Sequence, residues 1–192
     1  MPTSIITDSE GLLVERARAG ERSAQKALYK LHIRYLTAVC SRYVVNQEDV
    51  KDVLQESFMR VFSSLGDFEY RGPGSLKGWM SRIVVNQSMK FLERNGRMVF
   101  TELPPDTDGT AVHEEPDLDE VPAQVIHGLI RELPDGYRTI FNLYVIEGKS
   151  HREIASMLNI RESTSASQLH RAKSMLAAKI KYYQTTNDRV TI

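Results

Sequence analysis

Between residues 99 and 125 the chain carries eight acids, Glu102, Asp106, Asp108, Glu114, Glu115, Asp117, Asp119 and Glu120, and no Lys or Arg. Pro104, Pro105 and Pro116 fall in the same stretch, and large apolar side chains are few. A segment of that composition lacks the apolar area to offset the entropy of ordering it, and its like charges favour an extended form. It therefore excludes one continuous core running through all 192 residues. The remainder is expected to form two small domains, residues 1–97 and 122–183, joined by an acidic extended linker at 98–121 and followed by a tail at 184–192.

The acidic stretch also changes the meaning of the overall charge, which is formally zero. Removing its eight acids from the total of 25 leaves 17 against 25 bases, so the two flanks together carry +8. A uniformly basic DNA-coating protein is excluded, yet both flanks are equipped to meet phosphate. Cys40 is the only cysteine, which rules out an intrachain disulfide and a thiolate cluster and fits a small buried hydrophobe. No Walker loop, nucleophile elbow or metal cluster is present, so neither enzyme activity nor a cofactor is expected. The amino terminus lacks a basic-then-apolar signal, and no apolar run approaches the ~20 residues that span a bilayer. A soluble, cytoplasmic protein without membrane insertion is expected.

Strand signals are confined to Tyr43-Val-Val45 and Ile83-Val-Val85, both inside helical periodicities, so the fold class is all-α. In the amino half a short helix after Asp8 or Ser9 closes at Gly20, and a longer one runs from Ser23 to about Tyr43. Val50, Val53, Leu54, Phe58, Val61, Phe62 and Leu65 then make one apolar stripe ended by Gly66. Asp49, Asp52, Glu56 and Arg60 fall opposite. That acidic face is either solvated or a docking surface for a basic partner; a di-iron site would need Glu-x-x-His pairs, which are absent.

Asp67-Phe-Glu-Tyr-Arg-Gly-Pro-Gly-Ser-Leu-Lys-Gly-Trp79 follows. Its Gly72-Pro73-Gly74 forbids regular structure, and Ser75 is placed to cap a helix that buries Leu76, Trp79, Met80, Ile83 and Val84. The same helix offers Lys77, Arg82, Asn86, Lys90 and Arg94. From Glu69 to Arg97 there are six bases and two acids. Aromatic faces, bases and a backbone permitting close approach are what unstacked single-stranded bases require, and Tyr70 and Arg71 beside the glycines suit that role. Phe68 and Trp79 read as core packing, Trp79 most clearly through its register with Met80 and Ile83.

Past the acidic stretch, Pro122 and Pro134 begin helices, the second carrying Tyr137, Ile140, Phe141, Tyr144 and Val145 and ending at Gly148. Ser150-His-Arg-Glu-Ile-Ala-Ser-Met-Leu-Asn-Ile-Arg-Glu-Ser-Thr-Ser-Ala-Ser-Gln-Leu-His-Arg-Ala-Lys173 then reads as two helices around a tight turn, the arrangement that places a helix in a DNA groove. Ser150 and Glu153 form a capping box, Ile154, Ala155 and Leu158 face inward, and Asn159 takes the left-handed turn. Ser163 or Thr164 caps the second helix. Leu169, Ala172 and Leu176 face its core, while Ser165, Ser167, Gln168, His170 and Arg171 are assigned to the outward side, with short polar groups for base edges and bases for phosphate.

In this order, and across an acidic linker, the two halves resemble a bacterial RNA polymerase sigma factor of the extracytoplasmic-function (ECF) group. The resemblance covers nearly the whole chain. Gln47 to Phe62 is similar to the helix that docks on the clamp helices of the polymerase largest subunit, which implies Asp49, Asp52, Gln55 and Glu56 as core-polymerase-binding residues. Phe68 to Asn86 resembles the segment that melts and reads the minus-ten element. Tyr70, Arg71, Ser75 and Lys77 would line the pocket for a flipped base, and Arg82, Asn86, Lys90 and Arg94 would follow the strand. Leu133 to Gly148 and Ser150 to Lys173 resemble the domain that reads the minus-thirty-five element, with Thr164, Ser165, Ser167, Gln168, His170, Arg171 and Lys173 as its DNA-binding residues. Where the family often has Gly-Thr-Val-Lys-Ser-Arg, this chain has Ser163-Thr-Ser-Ala-Ser-Gln168, losing two bases and one buried aliphatic. By the same resemblance the acidic linker would thread the basic channel through which RNA leaves, and the implied partners are core RNA polymerase, promoter DNA and an anti-sigma protein.

Two other functions compete. One is an ordinary helix-turn-helix transcriptional regulator acting without promoter melting, since response regulators share the Glu-Ile-Ala-x-x-Leu pattern; such a regulator would usually carry a receiver domain of alternating strands and helices, which the amino half lacks. His151-Arg-Glu153 is like the His-x-Glu of zinc deaminases, but the paired cysteines of that site are missing too.

Overall fold

The computed structural model describes residues 9–100 and 121–187, and the eight linker acids, Glu102 to Glu120, lie outside the described residues. Every regular element among the described residues is helical. The chain divides into two compact units, residues 1–91 and 92–192.

The amino-terminal unit is built from α1 (Ser9–Arg18), α2 (Arg22–Cys40), α3 (Gln47–Ser63) and all but the last three residues of α4 (Ser75–Arg94), with a 3-10 turn at Leu65–Asp67. Between α1 and α2 the chain reverses at Gly20, whose φ of 85° is left-handed and suits a residue without Cβ. Asn46 caps α3, its Oδ1 accepting from the amides of Glu48 at 2.8 Å and Asp49 at 3.2 Å. The stripe of α3 is buried as the periodicity requires at Val50, Val53, Leu54, Phe58 and Val61, and Phe62 is half-buried. Gly66 does not stop this helix. Ser64 ends it, its amide reaching the Arg60 carbonyl, and Gly66 sits inside the 3-10 turn. α4 buries Leu76, Met80, Val84, Ser88 and Leu92, a row four residues apart, whereas Ile83 and Trp79 are only half-buried. Cys40 is fully buried, 3.6 Å from the Ser88 hydroxyl, and burial pushes its thiol up to about 11. It packs as a hydrophobe.

The carboxy-terminal unit contains α5 (Ala123–Arg131), α6 (Asp135–Phe141), α7 (His151–Leu158) and α8 (Glu162–Asn187). α8 runs past the boundary expected at 183. The helix expected to continue from Pro134 to Gly148 instead widens into a π-turn at Asn142–Ile146, where the Glu147 amide bonds five residues back to Asn142 at 3.0 Å. The extra residue shifts the phase of the apolar stripe, leaving Leu143 buried and Tyr144, Val145 and Ile146 exposed. Among the described residues Arg138 is the largest fully buried side chain. Its guanidinium donates to the carbonyls of Leu133 at 2.6 Å and Arg131 at 3.2 Å, and to Asp135, tying the end of α5 to the start of α6.

Candidate nucleic-acid interface

On α3, Asp52, Gln55 and Glu56 are exposed and Asp49 is half-buried, and their spacing puts all four on the face opposite the apolar stripe. Met59 continues that row one turn on. It is the most exposed large apolar side chain of α3, at 66%, and nothing in the local pattern of residues singles it out.

The loop before α4 encloses a cavity of about 470 Å³ whose walls include Phe68, Glu69, Arg71, Ser75, Trp79 and Arg82. The glycines make this possible: Gly72 and Gly74 have φ of 103° and 86°, so the loop turns back on the helix start. Ser75 is the first residue of α4, and its hydroxyl closes the loop, donating to the Gly72 carbonyl at 2.7 Å and accepting from the Arg71 amide at 3.2 Å. Phe68 and Trp79 stack with ring centroids 4.7 Å apart and planes 29° apart. Trp79 is therefore part of the cavity wall as well as of the packing, a role that its helical register conceals. Arg71 is paired with Glu69 at 2.8 Å, both side chains about three-quarters exposed. A pair so exposed is held weakly and can re-form around an anionic ligand.

Of the residues expected to line a base pocket, Arg71 and Ser75 stand at this cavity, and so does Arg82, expected to follow the strand. Tyr70 and Lys77 do not. The Tyr70 hydroxyl is 3.4 Å from Glu10 of α1, and the Lys77 ammonium sits 3.9 Å above the Tyr35 ring of α2. The ring face attracts the ammonium electrostatically and holds it on the α2 side of the helix. Beyond the cavity, Arg82, Asn86, Lys90 and Arg94 are exposed at four-residue steps along α4. That line is about 18 Å long at 1.5 Å per residue, the span of a few nucleotides.

In the other unit α7 and α8 form the helix-turn-helix. The Ser150 hydroxyl accepts from the Glu153 amide at 3.3 Å, and the Glu153 carboxylate accepts from the Ser150 amide at 2.9 Å, completing the capping box. That backbone bond, helped by Lys149 and the Ser150 hydroxyl, lowers the Glu153 carboxyl to about 2. Asn159 takes the left-handed turn with φ 52° and ψ 47°. α8 begins at Glu162, so Ser163 and Thr164 lie within its first turn rather than before it.

The outward face of α8 is not the one the polar side chains suggest. Thr164, Ser165 and Gln168 are buried, at 8%, 0% and 2% exposure. They share the inward stripe with Leu169, Ala172 and Leu176, and Ser165 is satisfied by the His151 Nδ1 at 3.0 Å. His151 in turn stacks on Tyr144 with centroids 4.6 Å apart. Ser167, His170 and Lys173 are exposed and Arg171 is half-buried. These four lie on the other side of the helix, and Ser165 and Gln168 pack inward.

Among the described residues no cluster of His, Cys, Asp or Glu suits a metal ion, and no helix is long and apolar enough to cross a membrane. One helical unit thus presents an aromatic cleft rimmed by Arg71 and Arg82, and the other a helix-turn-helix.

The family model for Sigma-70 region 2 matches residues 28–98, and that for Sigma-70, region 4 matches residues 123–176. The ECF RNA polymerase sigma-E factor of Salmonella typhimurium is 31% identical over 191 residues, covering 90% of this chain and 94% of that protein. ECF RNA polymerase sigma factor SigE of Mycolicibacterium smegmatis is 31% identical over 158 residues, 78% of this chain; the chain spans 58% of that protein's length. A solved structure of CnrH in complex with the cytosolic domain of CnrY is 20% identical, with a TM-score of 0.49 over 91% of this chain and 99% of that one. The chain belongs to the ECF RNA polymerase sigma factors. Its function is to direct promoter-specific transcription initiation, and neither matching family is catalytic.

Proposed function

We propose that the cavity before α4 receives a base flipped out of the melted minus-ten element, and that Arg82, Asn86, Lys90 and Arg94 then carry the displaced strand along the helix. The observation that supports this most is the stacked Phe68 and Trp79 pair, flanked by Arg71, Ser75 and Arg82 and continuous with the row of cationic and polar groups on α4. An aromatic wall offers any base a stacking partner worth ~1 to 3 kcal/mol, and Arg and Ser donors at the rim can select among base edges. Tyr70 and Lys77 would act from outside the cavity, on the loop and on the phosphates near α2.

In this reading Asp49, Asp52, Gln55 and Glu56 dock the amino-terminal unit on a basic surface of core polymerase, with Met59 as an apolar anchor among them. Ser167, His170, Arg171 and Lys173 contact the minus-thirty-five element in the major groove, fewer residues than the seven expected from sequence. The linker acids act as a phosphate mimic in the RNA exit channel. The protein works in the cytoplasm, and an anti-sigma protein holds it until a signal arrives.

The test is binding of a single-stranded minus-ten oligonucleotide, with 2-aminopurine at the flipped position, by polymerase reconstituted with this protein. Trp79→Ala should weaken binding by about tenfold and lose the fluorescence change, consistent with one stacked base. Lys90→Gln should weaken it modestly and lower the slope of log affinity against log salt by about 0.7 for each phosphate left unneutralised. Unchanged affinity and fluorescence in Trp79→Ala would remove the cavity from the mechanism. Charge reversal at Asp52 and Glu56 should abolish core binding while leaving the fold intact; retained binding would move the docking surface elsewhere.

A further inference from the structure

We infer that α1 is a brace for the base-receiving cavity and that Arg18 is its positioning residue. The inference rests on the reading of the cavity given above, but its observations are separate. α1 precedes the region matched by the family model, which begins at residue 28, and no part of it lines the cavity. It packs instead on α2 and on the 3-10 turn that leads into the loop, with Val14 and Ala17 buried.

From the end of this helix Arg18 reaches the loop backbone at two points. Its Nε donates to the Leu65 carbonyl at 3.3 Å, and its Nη2 donates to the Phe68 carbonyl. The third nitrogen, Nη1, is held by Glu15 at 2.8 Å, so the guanidinium plane is fixed from its own helix. The two carbonyls bracket the 3-10 turn, and the second belongs to the residue whose ring stacks on Trp79. Any slack between Leu65 and Phe68 would move that ring and change the width of the slot a base must enter.

Glu10, two turns earlier on α1, gives a further hold: its carboxylate lies 3.4 Å from the Tyr70 hydroxyl and, through the other oxygen, 3.4 Å from the buried His32 Nε2 of α2. α1 thus grips the loop near both ends of the Leu65–Tyr70 segment. The geometry calls for arginine in particular. A planar fork with fixed donor directions can serve two backbone carbonyls and one carboxylate at once, whereas an ammonium on a flexible stem cannot hold both carbonyls in register.

The experiment compares full-length wild type, Arg18→Met and Arg18→Lys, with Trp79→Ala as a lesion inside the cavity. Amide hydrogen exchange is measured on the free protein. Binding of the 2-aminopurine minus-ten oligonucleotide, and transcription from duplex and pre-opened promoters, are measured with core polymerase. Arg18→Met should speed exchange at residues 66–71 by about tenfold, with α2 and α3 amides unchanged, and weaken oligonucleotide binding by a similar factor, as expected for lost charged hydrogen bonds. The deficit should be greater on duplex than on pre-opened promoters, core affinity should not move, and Arg18→Lys should recover only part of the loss.

Loop exchange and oligonucleotide binding within about twofold of wild type, beside a defective Trp79→Ala, would overturn the brace while leaving the cavity reading in place. Exchange that rises throughout the amino-terminal unit would show Arg18 to be a residue of general stability, and would overturn it as well. A Trp79→Ala protein that binds the oligonucleotide normally would mean the cavity reading has failed, and the brace would lose its function with it.

Discussion

Arg138→Met should cost the carboxy-terminal unit about 3 to 5 kcal/mol, the range seen when one member of a buried charged group is removed. The side chain is 2% exposed, and its guanidinium donates to the carbonyls of Arg131 and Leu133 and to Asp135. Net values of ~1.5 to 3 kcal/mol per charged hydrogen bond would sum to more. Asp135, however, is 25% exposed and can turn to water once its partner has gone, and Met retains much of the apolar stem. A unit of this size has only ~3 to 10 kcal/mol of stability in total, so the substitution removes a large part of it. The melting transition of this unit should fall by roughly 15 °C or more, while that of the amino-terminal unit stays in place. Calorimetry of the full chain resolves the two, and binding of a minus-thirty-five duplex should be lost in parallel with the fold. A loss below about 1 kcal/mol would instead show that these acceptors are satisfied equally well without the guanidinium.

Other substitutions test the same account. Ser150→Ala should destabilise the helix-turn-helix by about 1 kcal/mol through loss of the cap, measured by chemical denaturation. Because the Glu153 carboxyl is lowered to about 2 from its ordinary 4.5, the stability it contributes is complete above the ordinary value and is lost as pH falls toward the lower one; Glu153→Gln should flatten that acid limb in denaturation curves. His32 is lowered by burial against an opposing pull from Glu10, so the unfolded chain takes the proton first. The amino-terminal unit should lose stability as pH falls below about 6.5, and His32→Leu should remove that slope from its melting curves. On α8, Gln168→Ala should lower stability with little change in promoter choice, whereas Lys173→Ala should leave stability alone and lower the salt slope of duplex binding by about 0.9, the share of one phosphate; the reverse pattern would put Gln168 back on the outward face.

The parts legible in the sequence are those set by helical period and end signals. The stripe of α3, the acidic row behind it, the four-residue row on α4 and the capping box all follow from local spacing, and the structure contains each of them. The acidic stretch predicts two domains parted at 98–121, whereas the two compact units divide between residues 91 and 92, within α4. What escapes depends on partners far away in the chain. Ser165 and Gln168 look like surface residues until His151 supplies a ring nitrogen for Ser165 and the stripe through Leu169 takes both inward. Arg138 gives no sign of burial because its main partners are backbone carbonyls, which every residue has. The π-turn at Asn142–Ile146 breaks the period without a glycine or proline to mark it. Trp79 matches the core register, yet a ring on that face also reaches the cavity, and only the stacking partner Phe68 reveals it. Lys77 is close to the loop in sequence, and its attraction to Tyr35 sends it the other way.

As a sigma factor, this chain gives core polymerase its promoter. The most direct measurement is run-off transcription by core polymerase with and without the protein, on fragments of the source genome. Discrete transcripts that appear only with the protein, and that disappear with Trp79→Ala on duplex templates but return on pre-opened ones, are the predicted result. Sequence-specific DNA binding without core, together with no new transcripts in its presence, would contradict the account.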